Sequence, residues 1–263
     1  MPAPSNTRQA GPVEDGPVVG LSSRLASAHA GGARLTAGDA VDLTPAEAYE
    51  VQATVARGLG RRIGWKVGRK SPAGPFSYAP LFDDRMHASG VALARDAFQP
   101  WMIEAELMVR FRRGLPATGA PHGQDRVRDA IGEVMAALEV IDSRFAAWPD
   151  VAPPLLVADL LSHGTMVFGS GTTVPAGASF ETAPVRLTID GKAMVDQRGG
   201  NPAGNLIDLV TLLVDRLAES GTPIREGDLV TTGSFTGMRV LPPGGRAEAT
   251  FEGIGSVALT RSA

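Results

Sequence analysis

Two glutamates lie two positions apart inside an apolar run, Ile103-Glu104-Ala105-Glu106-Leu107-Met108-Val109. The run predicts a strand packed against a core, and alternate residues of a strand point to the same face. The two carboxylates should therefore lie side by side, about 6.5–7 Å apart between Cα atoms. Neighbouring anions on a half-buried strand are costly unless a cation binds them, and Mg²⁺ prefers such oxygen ligands. A solvated face of an edge strand is the alternative interpretation.

The composition describes an ordinary globular protein and removes several classes of function. The 263 residues are 43% apolar and 20% charged, which suits one large domain or one domain with a small cap. A formal net charge of −3 gives no basic surface for nucleic acid, and no apolar run is long enough to cross a bilayer. The absence of cysteine excludes disulfides, thiolate metal sites and cysteine nucleophiles. Residues 1–6 lack the apolar core of a signal peptide, and a cytoplasmic location is expected.

The chain before the acidic strand predicts a tail, two helices and a loop. Residues 1–18 are rich in Pro, Gly and polar side chains and are expected to form a disordered tail. Helices are predicted over 21–30 and from Thr44 to about residue 59, the second because a capping box is followed by Pro at the first helical position. Residues 71–82 are rich in Pro and Gly and predict a loop that could act as a lid.

A lysine and a third glutamate interrupt two further apolar segments. Lys66 is the centre of Gly64-Trp65-Lys66-Val67-Gly68, where the glycines allow another group to approach the backbone closely. Glu139 lies in a strand predicted over 138–145, directly after a helix predicted over 124–137. Each has an ordinary alternative as an exposed side chain. Together with Glu104 and Glu106, Glu139 could hold Mg²⁺ or Mn²⁺, and Lys66 would balance the excess negative charge.

The other catalytic signatures are absent or weak. The sequence lacks a nucleophile elbow, a phosphate loop, a His-Glu-x-x-His motif and a dinucleotide fingerprint. Residues 233–238 form a glycine- and hydroxyl-rich loop suited to an oxyanion or a carboxylate. His163 is a lone histidine, which is more often a structural residue than a metal ligand.

The segments, taken in order, resemble the 2-keto-4-pentenoate hydratase / 4-oxalocrotonate decarboxylase family of the fumarylacetoacetate hydrolase superfamily. The resemblance spreads over about residues 20–260. The segments that carry it are Gly64-Trp65-Lys66-Val67-Gly68, Ile103-Glu104-Ala105-Glu106, Leu138-Glu139-Val140-Ile141-Asp142-Ser143-Arg144, Ala158-Asp159 with Ser162-x-Gly164, Thr232-Gly233-Ser234 and Gly253-Ile254-Gly255-Ser256-Val257. The chain departs from the family pattern in having Asp159-Leu160 in place of Asp-Asn and Ser162-His163-Gly164 in place of Ser-Ser-Gly.

The resemblance implies an α+β fold, namely a mixed β-sheet roll of the fumarylacetoacetate hydrolase C-terminal type with N-terminal and flanking helices. An N-terminal helical portion at 19–70 would form one structural unit with a catalytic core at 71–263. Members usually assemble into oligomers, so a homo-oligomer is expected, with pairing to a related subunit as a further option.

The resemblance also implies a divalent metal, Mg²⁺ or Mn²⁺, on Glu104, Glu106 and Glu139, and it places Lys66 in the active site. Lys66 would steer protons or hold the substrate oxyanion. The remaining assignments are hypotheses about the substrate and its protons. Ser162 and Ser234 would bind the substrate carboxylate, and Arg69 either receives a second carboxylate or belongs to a solvated basic turn. Asp159 is either a proton relay or a structural cap, and Arg144 is either a partner of the acidic cluster or part of a surface salt bridge.

The implied substrates are 2-oxo acids with adjacent unsaturation. The leading hypothesis is a metal-dependent hydratase that adds water to a 2-oxo-4-alkenoate through a metal-stabilised enolate, as in the degradation of aromatic rings. A decarboxylase of 2-oxo-3-enedioates shares that type of intermediate and is the nearest alternative. An acylpyruvate-type C–C hydrolase and a catalytically silent partner subunit are ranked lower.

Overall fold

The computed structural model describes residues 16–175 and 177–263. The helices of this part are α1 (Pro17–His29), α2 (Pro45–Ala56), α3 (Gln124–Ala130), α4 (Pro153–Ala158) and α5 (Leu206–Glu219). The strands are β1 (Arg62–Arg69), β2 (Phe76–Phe82), β3 (Met86–Ala88), β4 (Val91–Leu93), β5 (Pro100–Phe111), β6 (Ile131–Asp142), β7 (His163–Thr172), β8 (Pro184–Ile189), β9 (Lys192–Arg198), β10 (Leu229–Ser234), β11 (Arg239–Val240), β12 (Arg246–Phe251) and β13 (Gly255–Arg261).

Two mixed sheets form the body of the fold. The larger sheet has the strand order β2-β1-β10-β5-β6-β7-β3, with β11 paired to the beginning of β5. The smaller sheet has the order β4-β13-β12-β8-β9. The two longest strands, β5 and β6, pair antiparallel along their length and set Glu104 opposite Glu139. The candidate metal ligands therefore lie on neighbouring strands near the middle of the larger sheet.

The two faces of the larger sheet have different surroundings. Ile103, Ala105, Leu107 and Val109 of β5 point into the main core, together with the inner residues of the smaller sheet and of α5. The alternate residues of β5 point to the opposite face, where Met108 packs in a smaller cluster with buried side chains of β6, β7 and β10. The alternation that buries the core thus directs both glutamates of β5 to this second face.

The helix α5 is amphipathic, with its apolar side turned towards the main core. Asn205 caps it by accepting a hydrogen bond from the Ile207 backbone N–H at 2.9 Å. Leu209, Leu213 and Leu217 are each at most 1% exposed and pack in the main core. Each such burial stabilises the fold by about 1.5–3 kcal/mol.

The N-terminal helices have a core of their own. Leu21 and Leu25 of α1, Val51 and Val55 of α2, and Leu155 of α4 form a separate buried cluster. The capping box predicted for α2 is present, with Thr44 accepting from the Glu47 backbone N–H at 3.3 Å. The segment 19–70 also contains β1, which lies inside the larger sheet, so this segment is joined to the rest of the fold by strand pairing.

Three local predictions need correction. The tail predicted over 1–18 lies outside the described residues up to position 15, but α1 already begins at Pro17. The loop predicted over 71–82 ends before Phe76, because β2 forms the edge of the larger sheet, a position that tolerates Pro80. The helix predicted over 124–137 stops at Ala130, because residues from Ile131 onward pair with β5.

Residues 16–175 and 177–263 contain no helix that is both long enough and apolar enough to cross a membrane.

Candidate active site

The three predicted glutamate ligands converge at one point on the second face of the larger sheet. Glu104 faces Glu139 across the β5–β6 ladder, and Glu106 follows two residues later on the same face. One carboxylate oxygen from each lies within 4.8 Å of the other two. Glu106 and Glu139 are almost fully buried, whereas Glu104 is half-buried. Three hard oxygen donors at this separation suit a divalent cation such as Mg²⁺ or Mn²⁺.

The electrostatics of the cluster fit the same kind of ligand. Burial, reinforced by the charge of Glu139, raises the pKa of Glu104 to about 7 and that of Glu106 to about 8. The protein alone therefore disfavours the fully ionised form of the cluster. A divalent cation would stabilise that form, because it supplies positive charge at the point where the carboxylates repel one another.

Lys66 supplies a positive charge from β1. Its Nζ donates a hydrogen bond to Glu139 Oε1 and a second one, at 3.2 Å, to the Leu161 carbonyl oxygen. Burial acts to raise the pKa of Glu139, but the charge of Lys66 and a hydrogen bond from His163 outweigh it and hold that pKa below its ordinary value. Lys66 and Glu139 therefore form a buried ion pair within the carboxylate cluster.

The turn at the end of β10 brings polar groups to the two glutamates of β5. The Gly233 backbone N–H donates to Glu106 Oε2 at 3.2 Å. Ser234 is paired in register with Glu106, and its hydroxyl acts to lower the pKa of the neighbouring Glu104 carboxyl. Asn201 supports this turn by donating to the carbonyl oxygens of Thr232 and Gly233 at 2.8 and 3.0 Å. Ser234 therefore lies at the site, where the sequence predicts it, whereas Asn201 carries no motif that would have identified it.

A strained turn covers Lys66. Leu160, Leu161 and Ser162 have φ values of 52°, 56° and 55°, in the left-handed region that L-residues rarely occupy. Such residues cost about 1–3 kcal/mol each and persist where the surrounding structure fixes them, often at functional sites. The turn presents the Leu161 carbonyl oxygen to Lys66, and the buried Ser162 hydroxyl has no hydrogen-bond partner among the described residues. Its free donor is compatible with the predicted contact to a substrate.

His163 is the member of the site that sequence reasoning undervalued. Its ring is fully buried, and its Nδ1 lies 2.7 Å from Glu139 Oε1, the oxygen that Lys66 also contacts. The sequence signal was its position beside Ser162, where the chain departs from the family pattern. Periodicity could not have found the contact, because Glu139 is in register with Met166 of β7 and not with His163.

Asp159 lies in a different buried cluster. Its carboxylate accepts hydrogen bonds from the Arg144 backbone N–H at 2.8 Å and from Arg144 Nε at 2.5 Å. His29 Nε2 lies 3.3 Å from Asp159 Oδ1, and His29 Nδ1 faces the Arg85 guanidinium at 3.2 Å. Because a guanidinium only donates, Nδ1 accepts and the ring proton is on Nε2, directed at Asp159.

These contacts bear on the alternatives left open for Asp159 and Arg144. The hydrogen-bond and ion-pair partners of Asp159 all lie outside the glutamate cluster, so the geometry supports the structural role over the proton relay. Arg144 is 3% exposed, which rules out a surface salt bridge, and its charge is taken by Asp142 and Asp159. Arg144 also does not contact the three glutamates directly.

Arg69 is placed away from the carboxylates. It lies three residues after Lys66 on β1, and an odd separation along a strand puts the two side chains on opposite faces. Its guanidinium donates from Nε and Nη2 to the Ala203 carbonyl oxygen at 3.1 and 2.9 Å. Arg69 lines a separate cavity of about 360 Å³ with Glu181 and Asp208. The substrate contact predicted for Arg69 is therefore not supported by the structure.

Fold and site together define a class of protein, an α+β protein that gathers three carboxylates and a lysine on one face of a mixed sheet. The family model described as fumarylacetoacetate (FAA) hydrolase C-terminal matches residues 84–260, and the chain belongs to this family. The predicted fold class is confirmed by this match and by the solved structures that share the fold.

Two hydratases and one solved decarboxylase structure are similar to this chain over most of its length. The 2-keto-4-pentenoate hydratase of Paraburkholderia phymatum is 30% identical over 75% of this chain and 77% of the relative. The 2-keto-4-pentenoate hydratase of Burkholderia vietnamiensis is 28% identical over 94% of this chain and 98% of the relative. The structure of 4-oxalocrotonate decarboxylase from Pseudomonas putida G7, complexed with magnesium and adipate, has a TM-score of 0.83 at 25% identity and covers 93% of this chain and 97% of that one.

Proposed function

We propose that this protein is a divalent-metal-dependent hydratase that adds water to a 2-oxo-4-alkenoate, with 2-hydroxypenta-2,4-dienoate as the representative substrate. The observation that carries the proposal is the convergence of Glu104, Glu106 and Glu139 within 4.8 Å, beside a buried lysine. The 28–30% identity to hydratases over most of the chain supports this choice of reaction.

The glutamates would hold Mg²⁺ or Mn²⁺. When bound, the cation supplies Lewis-acid polarisation of the 2-oxo group of the substrate. Lys66 holds the oxyanion that develops on the substrate or moves a proton to it, because its Nζ already lies among the carboxylates in a site that largely excludes water. Ser162 and Ser234 donate to the substrate carboxylate from the two turns that border the cluster.

We further propose a role in the catabolism of aromatic compounds, a cytoplasmic location and a homo-oligomeric assembly, with pairing to a related subunit as an option. The substrate class suits the first, since 2-oxo acids with conjugated double bonds arise when an aromatic ring is opened. With no cysteine, the chain has no disulfide that would require an oxidising compartment.

Decarboxylation of a 2-oxo-3-enedioate is the second candidate, supported by the similarity to 4-oxalocrotonate decarboxylase. A diacid needs a cationic partner for its second carboxylate. Arg69, the residue predicted for that task, lies on the opposite face of β1 from Lys66. Because this placement leaves the second carboxylate of a diacid without its predicted partner, we rank the hydratase above the decarboxylase. The acylpyruvate-type hydrolase and the silent subunit remain below both candidates.

The test is to supply both substrates to the metal-loaded protein and to identify the products by mass. We expect loss of the dienoate absorbance with gain of one water. Release of CO₂ from the enedioate without hydration of the dienoate would establish the decarboxylase instead. If the protein binds Mg²⁺ or Mn²⁺ but converts neither substrate nor an acylpyruvate, the silent-subunit alternative holds.

A further inference from the structure

We propose that His163 is a positioning residue that holds the Glu139 carboxylate in place, so that Lys66 can leave it and act on the substrate. The inference rests on the proposed function, because it takes Glu139 as a metal ligand and Lys66 as a group that works on the substrate. His163 itself neither binds the metal nor touches the reacting atoms.

The hydrogen bonds around Glu139 are the first observation. A carboxylate accepts hydrogen bonds and a ring nitrogen facing it must donate, so His163 carries its proton on Nδ1, 2.7 Å from Glu139 Oε1. Lys66 Nζ donates to that same oxygen. Both protein donors therefore use Oε1, and the second oxygen, Oε2, is left available for a cation.

The second observation is that the backbone carrying the His163 ring is held close to the backbone carrying Glu139. His163 is 0% exposed and begins β7, directly before Gly164. A Cβ on Gly164 would lie only 2.7 Å from the Val140 carbonyl oxygen, so β7 approaches β6 closely beside Glu139. This close approach fixes the backbone that carries the imidazole relative to the backbone that carries the carboxylate. A residue larger than glycine at position 164 would separate the two strands.

The two donors to Oε1 differ in mobility. Lys66 has a long flexible stem, and its side chain keeps 11% exposure, whereas the His163 ring is enclosed on all sides. When Lys66 turns towards a substrate oxyanion, Glu139 loses that donor but keeps the one from His163. Without His163, the carboxylate would be free to change rotamer at the moment it is needed as a ligand. The serine found at this position in the family pattern is too short to reproduce the contact of an imidazole in the same way.

The test uses three variants of the full-length protein and measures Mn²⁺ affinity by electron paramagnetic resonance of the free ion. His163→Asn places an amide N–H near the position of Nδ1, His163→Gln places it near Nε2, and His163→Leu removes the donor. Loss of a hydrogen-bond partner of a metal ligand costs about 10–100-fold in metal affinity, and we expect this loss for Leu and Gln. We expect Asn to retain an affinity close to that of the wild type.

Thermal unfolding in EDTA checks that each variant is folded. If His163→Leu does not fold, the comparison of Asn with Gln still decides, since the two amides differ only in where the donor lies. Wild-type affinity in both Leu and Gln overturns the inference. Equal losses in Asn and Gln also overturn it, because shape and not the donor would then be responsible. Failure of the wild type to bind Mn²⁺ overturns the proposed metal site, and this inference with it.

A second comparison tests whether His163 and Lys66 both hold the Glu139 carboxylate through its Oε1. In a Lys66→Met background Oε1 retains only the His163 donor. We expect His163→Leu to weaken Mn²⁺ binding by a larger factor in that background than in the wild type. Equal factors would show that the two residues act independently and would overturn the division of roles between them.

Discussion

Lys66 of β1 reaches Glu139 of β6 although β10 and β5 lie between the two strands in the sheet. Three strand spacings amount to about 14 Å on a flat sheet, which is more than the two side chains span comfortably. The two side chains therefore extend towards each other across β10 and β5. The strand order thus brings a cation from a distant strand into an acidic cluster without any residue close in sequence.

Replacing Glu106 with glutamine tests the metal site. The variant loses one of the three carboxylates that would bind the metal. Its affinity for Mg²⁺ or Mn²⁺ should fall by more than the about 10–100-fold that is typical when only a hydrogen-bond partner of a ligand is removed. Above about pH 8, its metal-free fold should be at least as stable as that of the wild type, because Glu106 would otherwise carry a buried charge that repels Glu104 and Glu139. Isothermal titration with Mn²⁺ and thermal unfolding in EDTA measure the two effects. Unchanged metal affinity would remove Glu106 from the site.

Lys66→Met should separate binding from chemistry. Because the three carboxylates remain and His163 still holds Glu139, the variant should bind Mn²⁺. Its turnover of the dienoate should fall by about 10²–10⁴-fold, the usual contribution of a positioned proton donor or acceptor. Stopped assays of dienoate absorbance at saturating metal provide the measurement. A variant with full activity would exclude Lys66 from the mechanism.

Asp159→Asn distinguishes a structural role from a proton relay. The change leaves the buried Arg144 guanidinium without its closest anion, and breaking a buried pair in this way costs about 3–5 kcal/mol of stability. Metal affinity of the folded protein should not change, since Asp159 contacts none of the glutamates. Urea unfolding and Mn²⁺ titration test both parts. Wild-type stability together with a large loss of turnover would favour the relay.

The raised pKa values of Glu104 and Glu106 should make the metal-free protein lose stability as the pH rises from about 6.5 to about 8. Below about pH 6.5 the lowered pKa values of the buried His29 and His163 act in the opposite sense. The folded-state pKa values of Glu104 and Glu106 are raised to about 7 and about 8, while in the unfolded chain both return towards 4.5. Between these limits the two carboxyls bind more protons in the folded state than in the unfolded state, so they make the free energy of unfolding decrease with increasing pH. Saturating Mg²⁺ should flatten this dependence by stabilising the ionised carboxylates.

Unfolding temperatures measured from about pH 6.5 to about pH 8, with EDTA and with Mg²⁺, test this dependence on the raised pKa values. Identical curves under the two conditions would contradict the proposed ligand set. The Glu106→Gln variant is the matched control, because it should show a weaker pH dependence in EDTA.

The part of the site that follows strand alternation could be predicted from the sequence. The spacing of Glu104 and Glu106 places both on one face, and the structure agrees. The same parity rule was available for Arg69, whose odd separation from Lys66 sends it to the other face.

The remaining differences depend on long-range contacts that local patterns do not contain. Residues 131–137 have helical spacing, but pairing with β5 makes them a strand. His163 reaches Glu139 through the direction of its side chain from the beginning of β7, which no spacing rule supplies. The left-handed turn at residues 160–162 lacks glycine and so carries no sequence signal of its backbone conformation.

The outer strands of both sheets restrict how this chain can associate with its own copies. The larger sheet ends at β2, which contains Pro80, and at the three-residue β3, while the smaller sheet ends at the three-residue β4 and at β9. β9 carries exposed charges at Lys192, Asp196 and Arg198. Proline, short length and charge each discourage the addition of a further strand. A homo-oligomer of this protein would therefore assemble through helices, loops or sheet faces, and the same edges should protect the folded monomer from amyloid-like growth.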